Sequence, residues 1–130
     1  MSSNSLQNKK IVISGGASGI GWATTKICVA KGASVYLCDI DLKAINKVKK
    51  HPLYNKRIFV SEADASDETQ VIDFFNKIKK KFKYLDCIIN NVGIEGPTGP
   101  IEKLNSRDWV RTLYVNVVGH FILQSRLYPF

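Results

Sequence analysis

Four short apolar runs recur along the chain, each separated from the next by a longer polar or amphipathic stretch. The runs cover residues 11–13, 35–38, 58–60 and 85–89, and they are rich in Val, Ile, Leu and Phe. Continuous apolar runs of this length are typical of strands that are buried on both faces of a sheet. The pattern therefore predicts four buried β-strands.

The stretches between these runs have the periodicity of amphipathic helices. The first ends at Gly32, the second covers about residues 42–50 before Pro52, and the fourth covers about residues 106–127. The third begins at Ser66, with acidic residues in the predicted first turn. The apolar positions of the first helix are Ile20, Ala23, Ile27 and Ala30, and those of the third are Val71, Phe74, Phe75, Ile78 and Phe82.

Alternating strands and helices joined by short connections predict a parallel sheet with helices packed on both faces. The predicted fold class is α/β: a Rossmann-like doubly wound parallel sheet, partial, with strand order 3-2-1-4 and flanking helices. The 130 residues form one domain. Residues 1–8 are polar and aperiodic, and we expect them to be a disordered tail.

A glycine-rich turn, SGGASGIG over residues 14–21, joins the first predicted strand to the first predicted helix. In dinucleotide-binding turns one glycine permits the tight turn, a second lets the backbone approach a pyrophosphate, and a third lets helix and strand pack closely. The phosphates then bind free N–H groups at the helix start. The alternative is a turn with a structural role only. The candidate cofactor-binding residues here are Gly15, Ser18, Gly19, Ile20 and Gly21.

Asp39 ends the second predicted strand, where an acidic side chain can accept hydrogen bonds from the adenosine ribose and repel a 2′-phosphate. The glycine turn itself contains no basic residue. Together these features favour NAD as the cofactor over NADP. Asp39 and Asp41 also flank a predicted turn, where Asp is common for structural reasons, so a purely structural role is the alternative.

With these residues in place, the sequence resembles a short-chain dehydrogenase/reductase from about residue 9 to 124. The segment at 14–21 is similar to the family's TGxxxGxG, with Ser14 in place of threonine. The remaining motifs are Ala63-Asp64-Ala65 after strand three, Asn90-Asn91-Val92-Gly93 in place of NNAG, and Asn116-Val117-Val118-Gly119 in place of NVxG.

The resemblance implies roles for these residues. Asp64 with Ala65 would contact the adenine, Asn90 with Gly93 would lie beside a cofactor ribose, and Asn116 would be a catalytic residue that helps order a proton-relay water. Asp64 could instead simply end strand three, and the asparagines of the NNVG segment could mainly hydrogen-bond the loop backbone. Asn116 is a poor helix former, which favours a functional role within the predicted helix.

The resemblance also implies chemistry that this chain does not carry. In the family, a tyrosine acts as general acid/base, a lysine four residues later lowers its pKa, and a serine positions the carbonyl; all three follow the fourth helix. We expect the full-length type to transfer hydride between NAD and a hydroxyl or carbonyl substrate, and this chain alone to be inactive. A small-molecule substrate then requires the C-terminal half. The alternative is a non-catalytic NAD-binding sensor or partner subunit.

The net charge of +8 introduces a further hypothesis, nucleic-acid binding. No base-stacking aromatic residues, zinc-finger pattern or helix-turn-helix pattern accompany the lysines, which lie on or beside predicted helices. We therefore expect solvated helix faces and no nucleic-acid partner. The two lysine clusters are Lys43, Lys47, Lys49 and Lys50, and Lys77, Lys79, Lys80, Lys81 and Lys83.

The sequence contains no signal-peptide pattern and no apolar run near the roughly 18–20 residues of a membrane span. We expect a cytoplasmic protein without membrane or metal. Cys28, Cys38 and Cys87 have no CxxC spacing, and we expect them to be small buried hydrophobes. The fourth helix is apolar around much of its circumference, which predicts a homo-oligomer. Its apolar residues are Trp109, Val110, Leu113, Val117, Phe121 and Ile122.

Overall fold

The four predicted strands form one parallel sheet in the computed structural model, which describes residues 5–128 and 130. The strands are β1 (Lys10–Ser14), β2 (Ser34–Asp39), β3 (Ile58–Glu62) and β4 (Cys87–Ile89). Their order is β3-β2-β1-β4, and every pairing is parallel. The predicted strand order is confirmed, although β4 is shorter than the apolar run that predicts it.

Helices cover both faces of the sheet: α1 (Gly19–Ala30), α2 (Leu42–Lys49), α3 (Glu68–Lys79), α4 (Ser106–Leu113) and α5 (Gly119–Gln124). Successive strand residues point to opposite faces. One face packs against α1 and α2, and the other packs against α3 and α5. The doubly wound α/β fold class is therefore confirmed. Within the described residues, no helix has the length and apolar character needed to cross a membrane.

The predicted long helix is interrupted near its middle. Residues Tyr114–Val118 form a π-helical turn that joins α4 to α5, and α5 ends at Gln124. Such turns are rare and are frequent at functional sites. Asn116 lies inside this turn. Pro129, which the sequence places just beyond the helix, lies outside the described residues.

Residues 5–8, assigned to a disordered tail from their composition, form a turn packed beside the end of α1. The N–H groups of Leu6 and Asn8 donate to the carbonyl oxygens of Lys31 and Gly32 at 3.1 and 3.2 Å. Here the structure differs from the prediction, because local composition does not reveal backbone pairing with a distant turn. Residues 1–4 lie outside the described residues.

The buried face of α1 is not its apolar stripe. Small residues face the sheet because the helix begins very close to the end of β1. Thr25 is fully buried there, and its hydroxyl donates to the carbonyl oxygen of Gly21 at 2.9 Å. The buried residues of α1 are Gly21, Thr25, Cys28 and Val29, whereas the apolar stripe of Ile20, Ala23, Ile27 and Ala30 is exposed.

Two of the three thiols are buried, as expected. Burial raises the pKa of Cys38 to about 12 and also raises the pKa of Cys28, so both remain protonated at neutral pH. Cys87 is exposed on β4, which lies at the edge of the sheet. The expectation of burial is wrong for Cys87, because only one neighbouring strand covers β4.

Asp86 ties the start of β4 to the start of β1. Its Oδ2 accepts the Lys10 backbone N–H at 2.7 Å, and its Oδ1 accepts from Lys9 Nζ at 2.9 Å. Its own N–H donates to the Lys10 carbonyl oxygen at 2.9 Å. The Lys10 N–H, assisted by the Lys9 ammonium, holds the pKa of the Asp86 carboxyl below its ordinary value.

We expect Asp86→Asn to lower the free energy of unfolding by about 1 kcal/mol at neutral pH, because it removes a charged acceptor at a partly exposed site. A carboxyl with a lowered folded-state pKa contributes stability above its unfolded pKa. This contribution is lost as the pH falls through the folded-state pKa. The difference from wild type should therefore shrink in urea denaturations taken from about pH 7 down to about pH 3.

Asp73→Asn is the matched control, because Asp73 is exposed on α3 and its carboxylate makes no hydrogen bond within the described residues. It should change stability little at any pH. A difference in the free energy of unfolding between Asp86→Asn and wild type that stays constant as the pH falls would contradict the stabilising role assigned to the Asp86 carboxylate.

Candidate functional site

The glycine turn brings the start of α1 directly over the end of β1. Gly15 has a φ of +62°, in the left-handed region that glycine tolerates best. A Cβ on Gly21 would overlap the Gly15 carbonyl oxygen, so helix and strand are in close backbone contact. A Cβ on Gly19 would meet nothing within 4 Å. The turn is thus tightly packed on its inner side and open on its outer side at Gly19.

The first turn of α1 has the features of an anion site. Ser18 is the N-cap residue, yet its side chain makes no capping hydrogen bond, and no acidic residue occupies the first turn. Ser18, Gly19 and Ile20 are all exposed. Because the N–H groups at a helix start lack partners within the helix and carry its positive dipole end, they can bind a negatively charged group.

Asp39 is almost completely buried at the end of β2, with 8% of its surface exposed. Its Oδ2 accepts the Ala17 N–H at 3.1 Å, and its Oδ1 accepts the Asp41 N–H at 3.0 Å. The carboxylate therefore ties the glycine turn to the β2–α2 connection. This structural role is the alternative that the sequence left open, and it leaves lone pairs on both oxygens for a ligand.

Asp64 follows β3 and stabilises the turn that leads into α3. Its Oδ1 accepts both the backbone N–H and the hydroxyl of Ser66, at 2.8 and 2.6 Å. A cavity of about 90 Å³ lies beside it, at the carboxyl ends of β1, β2 and β3. We call this the carboxyl-end cavity; its lining includes Gly15, Asp39, Asp64, Ala65, Arg111 and Val115.

The loop after β4 is tied to the glycine turn by side chains. The Ser14 hydroxyl accepts the N–H groups of Asn91 and Val92 at 3.0 and 3.3 Å. Asn91 Nδ2 donates to the Gly15 carbonyl oxygen at 3.0 Å. Asn91 therefore hydrogen-bonds loop backbone, as its structural alternative predicts. Ser14, which the sequence marks only as a departure from threonine, joins the ends of β1 and β4.

Asn90 has a different environment from Asn91. Its Nδ2 donates to Gln124 Oε1 at 3.3 Å, whereas its Oδ1 is buried and has no hydrogen-bond partner within the described residues. A buried acceptor without a partner is costly unless a ligand or water completes it. Asn90 thus offers an acceptor at the carboxyl end of β4. Gly93 lies two residues after Asn91 in the same loop, and it is exposed.

Both polar atoms of the Asn116 side-chain amide hydrogen-bond the loop that follows β4. Its Oδ1 accepts the Ile94 N–H at 2.8 Å, and its Nδ2 donates to the Ile94 carbonyl oxygen at 2.9 Å. His120, one turn further along, contacts the Val92 carbonyl oxygen through Nε2 at 2.7 Å. The helix residues therefore position the loop. Nothing in the sequence pattern of His120 indicated this contact.

The candidate residues divide into three groups. Gly15, Asp39, Asp64 and Ala65 line the carboxyl-end cavity together. Ser18 lines a neighbouring cavity of about 420 Å³ between α1 and α2, with Lys43 and Lys47, which we call the α1–α2 cavity. The third group lines neither cavity and comprises Gly19, Ile20, Gly21, Asn90, Gly93 and Asn116. Arg111, which lines the carboxyl-end cavity, was not identified from the sequence. Among the described residues, no cluster of His, Cys, Asp or Glu could hold a metal ion.

Comparison with known proteins identifies the family. The short chain dehydrogenase family profile matches residues 9–130. Levodione reductase of Leifsonia aquatica is 30% identical over 118 residues, which cover 88% of this chain and 44% of that protein. The 15-hydroxyprostaglandin dehydrogenase [NAD(+)] of Bos taurus is 32% identical over 120 residues, covering 88% and 41%. The chain therefore spans less than half the length of these two relatives.

Solved structures agree with this assignment. A levodione reductase crystal structure superposes with a TM-score of 0.85 at 28% identity, covering 93% of this chain and 48% of the other. A 3-ketoacyl-(acyl-carrier-protein) reductase from Brucella melitensis, complexed with NADH, superposes with a TM-score of 0.86 at 27% identity, covering 95% and 50%. The strand order, the glycine turn and these matches show that the chain belongs to the short-chain dehydrogenase/reductase family, whose members bind nicotinamide cofactors.

Proposed function

We propose that this chain is the NAD-binding part of a short-chain dehydrogenase/reductase. In the full-length protein, NAD would exchange hydride with a hydroxyl or carbonyl group of a small-molecule substrate. The observation that carries the proposal is the glycine turn. Its open outer side leads into the uncapped start of α1, and Gly15 also lines the carboxyl-end cavity that holds Asp39 and Asp64.

The start of α1 would bind the cofactor pyrophosphate. The space that a Cβ on Gly19 would enter is open, and the Ser18 side chain makes no capping hydrogen bond. Gly21 makes this arrangement possible, because only a residue without a Cβ lets the helix begin so close to β1. A pyrophosphate at this position would complete the unpaired donors of the first helical turn.

Asp39 would bind the adenosine ribose and select NAD over NADP. A carboxylate has about four lone-pair sites, and two backbone N–H groups occupy two of them in this chain. The remaining capacity suits ribose hydroxyls, whereas a 2′-phosphate would meet a buried negative charge at short range. The structural and the binding roles of Asp39 are therefore compatible.

The remaining candidates would act at the two ends of the cofactor. Asp64 and Ala65 would lie beside the adenine, and Gly93 with the unpaired Asn90 Oδ1 would lie beside a cofactor ribose, whose hydroxyl could donate to that oxygen. Asn116, the catalytic candidate, would act by holding the loop through Ile94. No residue of the set provides a general acid of the kind that hydride transfer to a carbonyl requires.

We propose that the chain alone does not turn over. None of its five tyrosines is followed by a lysine four residues later. The family's tyrosine–lysine pair would therefore have to come from sequence beyond that given, and so would the residues that bind the substrate. Binding of the cofactor, which uses residues present here, does not depend on that part.

We also propose that the chain associates with further copies. The π turn and the helices on either side of it expose large apolar side chains, among which Phe121 is 71% exposed and Val110 is 64% exposed. Apolar patches of this kind are typical of interaction surfaces. The surface comprises Trp109, Val110, Leu113, Val117 and Phe121.

Gly19→Val should abolish detectable NADH binding, because the branched side chain would occupy the space proposed for the pyrophosphate. A loss of at least tenfold in affinity is expected by fluorescence titration of the purified chain. The variant also strains a backbone with φ of +52°. Gly99→Val is the matched control, since Gly99 has φ of +144° and lies in the distant loop before α4.

Urea denaturation of both variants separates strain from blocked binding. We expect the two variants to remain folded, and Gly99→Val to bind NADH as wild type does. Unchanged affinity of Gly19→Val would place the phosphate site elsewhere.

Asp39→Asn should narrow the preference for NADH over NADPH by about tenfold, since it removes the charge and keeps an acceptor for the Ala17 N–H. The readout is the ratio of the two dissociation constants, which is insensitive to a general loosening of the turn. Asp41→Asn is the matched control, because Asn replaces Asp well as an N-cap and Asp41 caps α2. Equal affinities of the wild-type chain for NADH and NADPH would refute the role of Asp39.

A further inference from the structure

The carboxyl-end cavity continues past Asp64 into a second, larger concavity. This second concavity has a volume of about 440 Å³ and lies between α4 and the turn after β3; we call it the α4 cavity. The two cavities share Asp64, Ser66, Arg111 and Val115. These four residues therefore mark the boundary between them, at the end of the site that the proposed function gives to the adenine.

Arg111 has an unusual position at this boundary. It contributes the single cationic side chain among the residues that line the carboxyl-end cavity, where Asp39 and Asp64 supply two carboxylates. Within the described part of the chain, its guanidinium makes neither a hydrogen bond nor an ion pair, although it lines open space on both sides of the boundary. Both carboxylates are instead hydrogen-bonded to backbone or hydroxyl groups. Arg111 is therefore available to a ligand.

We propose that Arg111 stacks its guanidinium on the adenine ring of the bound dinucleotide and so contributes to recognition of the base; this inference rests on the proposed function. The guanidinium is planar and weakly hydrated, and it stacks on aromatic faces. Val115 lies one helical turn further along on the same face, and it supplies an apolar contact in the same cavity. Arg111 and Val115 thus line the carboxyl-end cavity from one helix, and Asp64 and Ala65 line it from the turn after β3.

The location distinguishes the adenine from the phosphates as the partner of Arg111. The pyrophosphate is assigned to the start of α1, and the α1–α2 cavity beside it is lined by Ser18, Lys43 and Lys47. None of the residues that line the α1–α2 cavity lines a cavity that Arg111 borders. Arg111 shares the carboxyl-end cavity and the α4 cavity with Asp64 and Ser66, which follow β3. It also borders a third cavity, of about 270 Å³, on the side of α4 where Glu95 and Asp108 lie. A contact with the base is therefore favoured over an ion pair with a phosphate.

Substitutions of Arg111 separate stacking from simple charge attraction. Arg111→Met keeps an extended aliphatic side chain and removes the planar cation, whereas Arg111→Lys keeps the charge and removes the plane. Stacking predicts that both variants bind NADH about fivefold more weakly than wild type, as measured by calorimetry. Both should bind AMP, which contains the adenine but no nicotinamide, more weakly by the same factor.

Arg107→Met is the matched control. Arg107 lies one turn before Arg111 on the same helix, is exposed, and lines the α4 cavity but not the carboxyl-end cavity. This variant should bind NADH and AMP as wild type does. Full affinity of Arg111→Met, full affinity of Arg111→Lys, or a loss for NADH without a loss for AMP would each overturn the stacking assignment while leaving the NAD-binding function intact. Absence of NADH binding by the wild-type chain would overturn the proposed function itself, and this inference with it.

Discussion

Helix α1 begins so close to the end of β1 that no side chain fits between them. The contact of Gly21 with the Gly15 carbonyl oxygen sets this distance, and the hydroxyl of the buried Thr25, which lies 3.3 Å from the Gly16 carbonyl oxygen, maintains it one turn later. Because the helix starts at the strand end, its unpaired N–H groups lie at the carboxyl edge of the sheet. The proposed pyrophosphate site, the burial of small residues on α1 and the exposure of its apolar stripe all follow from this one close approach.

The parallel sheet then determines which other side chains meet the glycine turn. All four strands run in the same direction, so the residues that follow them collect at one edge. Asp39 follows this rule at the end of β2, and Ser14 does so at the end of β1. Their hydrogen bonds to backbone N–H groups of neighbouring loops convert a set of separate strand ends into one connected surface. Within the described residues, Asn90 Oδ1 and the Arg111 guanidinium have no hydrogen-bond partner, and our proposal gives both a contact with the ligand.

Local patterns in the sequence were sufficient to predict the fold. The apolar runs identify the four strands, and the stripe from Val71 to Phe82 identifies α3 and its buried face, because each pattern depends on residues close in sequence. The glycine spacing likewise predicts the turn between β1 and α1. The buried face of α1 could not be predicted in this way, since close packing at Gly21 outweighs the apolar periodicity of Ile20 and Ile27.

Contacts between residues far apart in the sequence account for what the patterns missed. The Asn116 amide pairs with Ile94, and His120 pairs with the Val92 carbonyl; each contact joins a helix to a loop more than twenty residues earlier. Arg111 belongs to the same class, because only the folded chain brings α4 beside the carboxyl-end cavity. Motif resemblance indicated that Asn116 matters. The structure shows that the Asn116 amide holds the loop through Ile94, and its catalytic role stays a prediction.

The central claim, that a nicotinamide dinucleotide binds across the carboxyl edge of the sheet, is tested most directly by NMR. Amide signals of the ¹⁵N-labelled chain would be recorded during titration with NADH. The account predicts concentration-dependent shifts concentrated in residues 15–21, 39–41, 64–66, 90–94 and 111–115, with little change in α2 beyond its first turn or in the amino-terminal ends of the strands. Shifts confined to the lysine-rich surfaces of α2 and α3, or an absence of shifts at millimolar NADH, about the weak limit of specific binding, would contradict it.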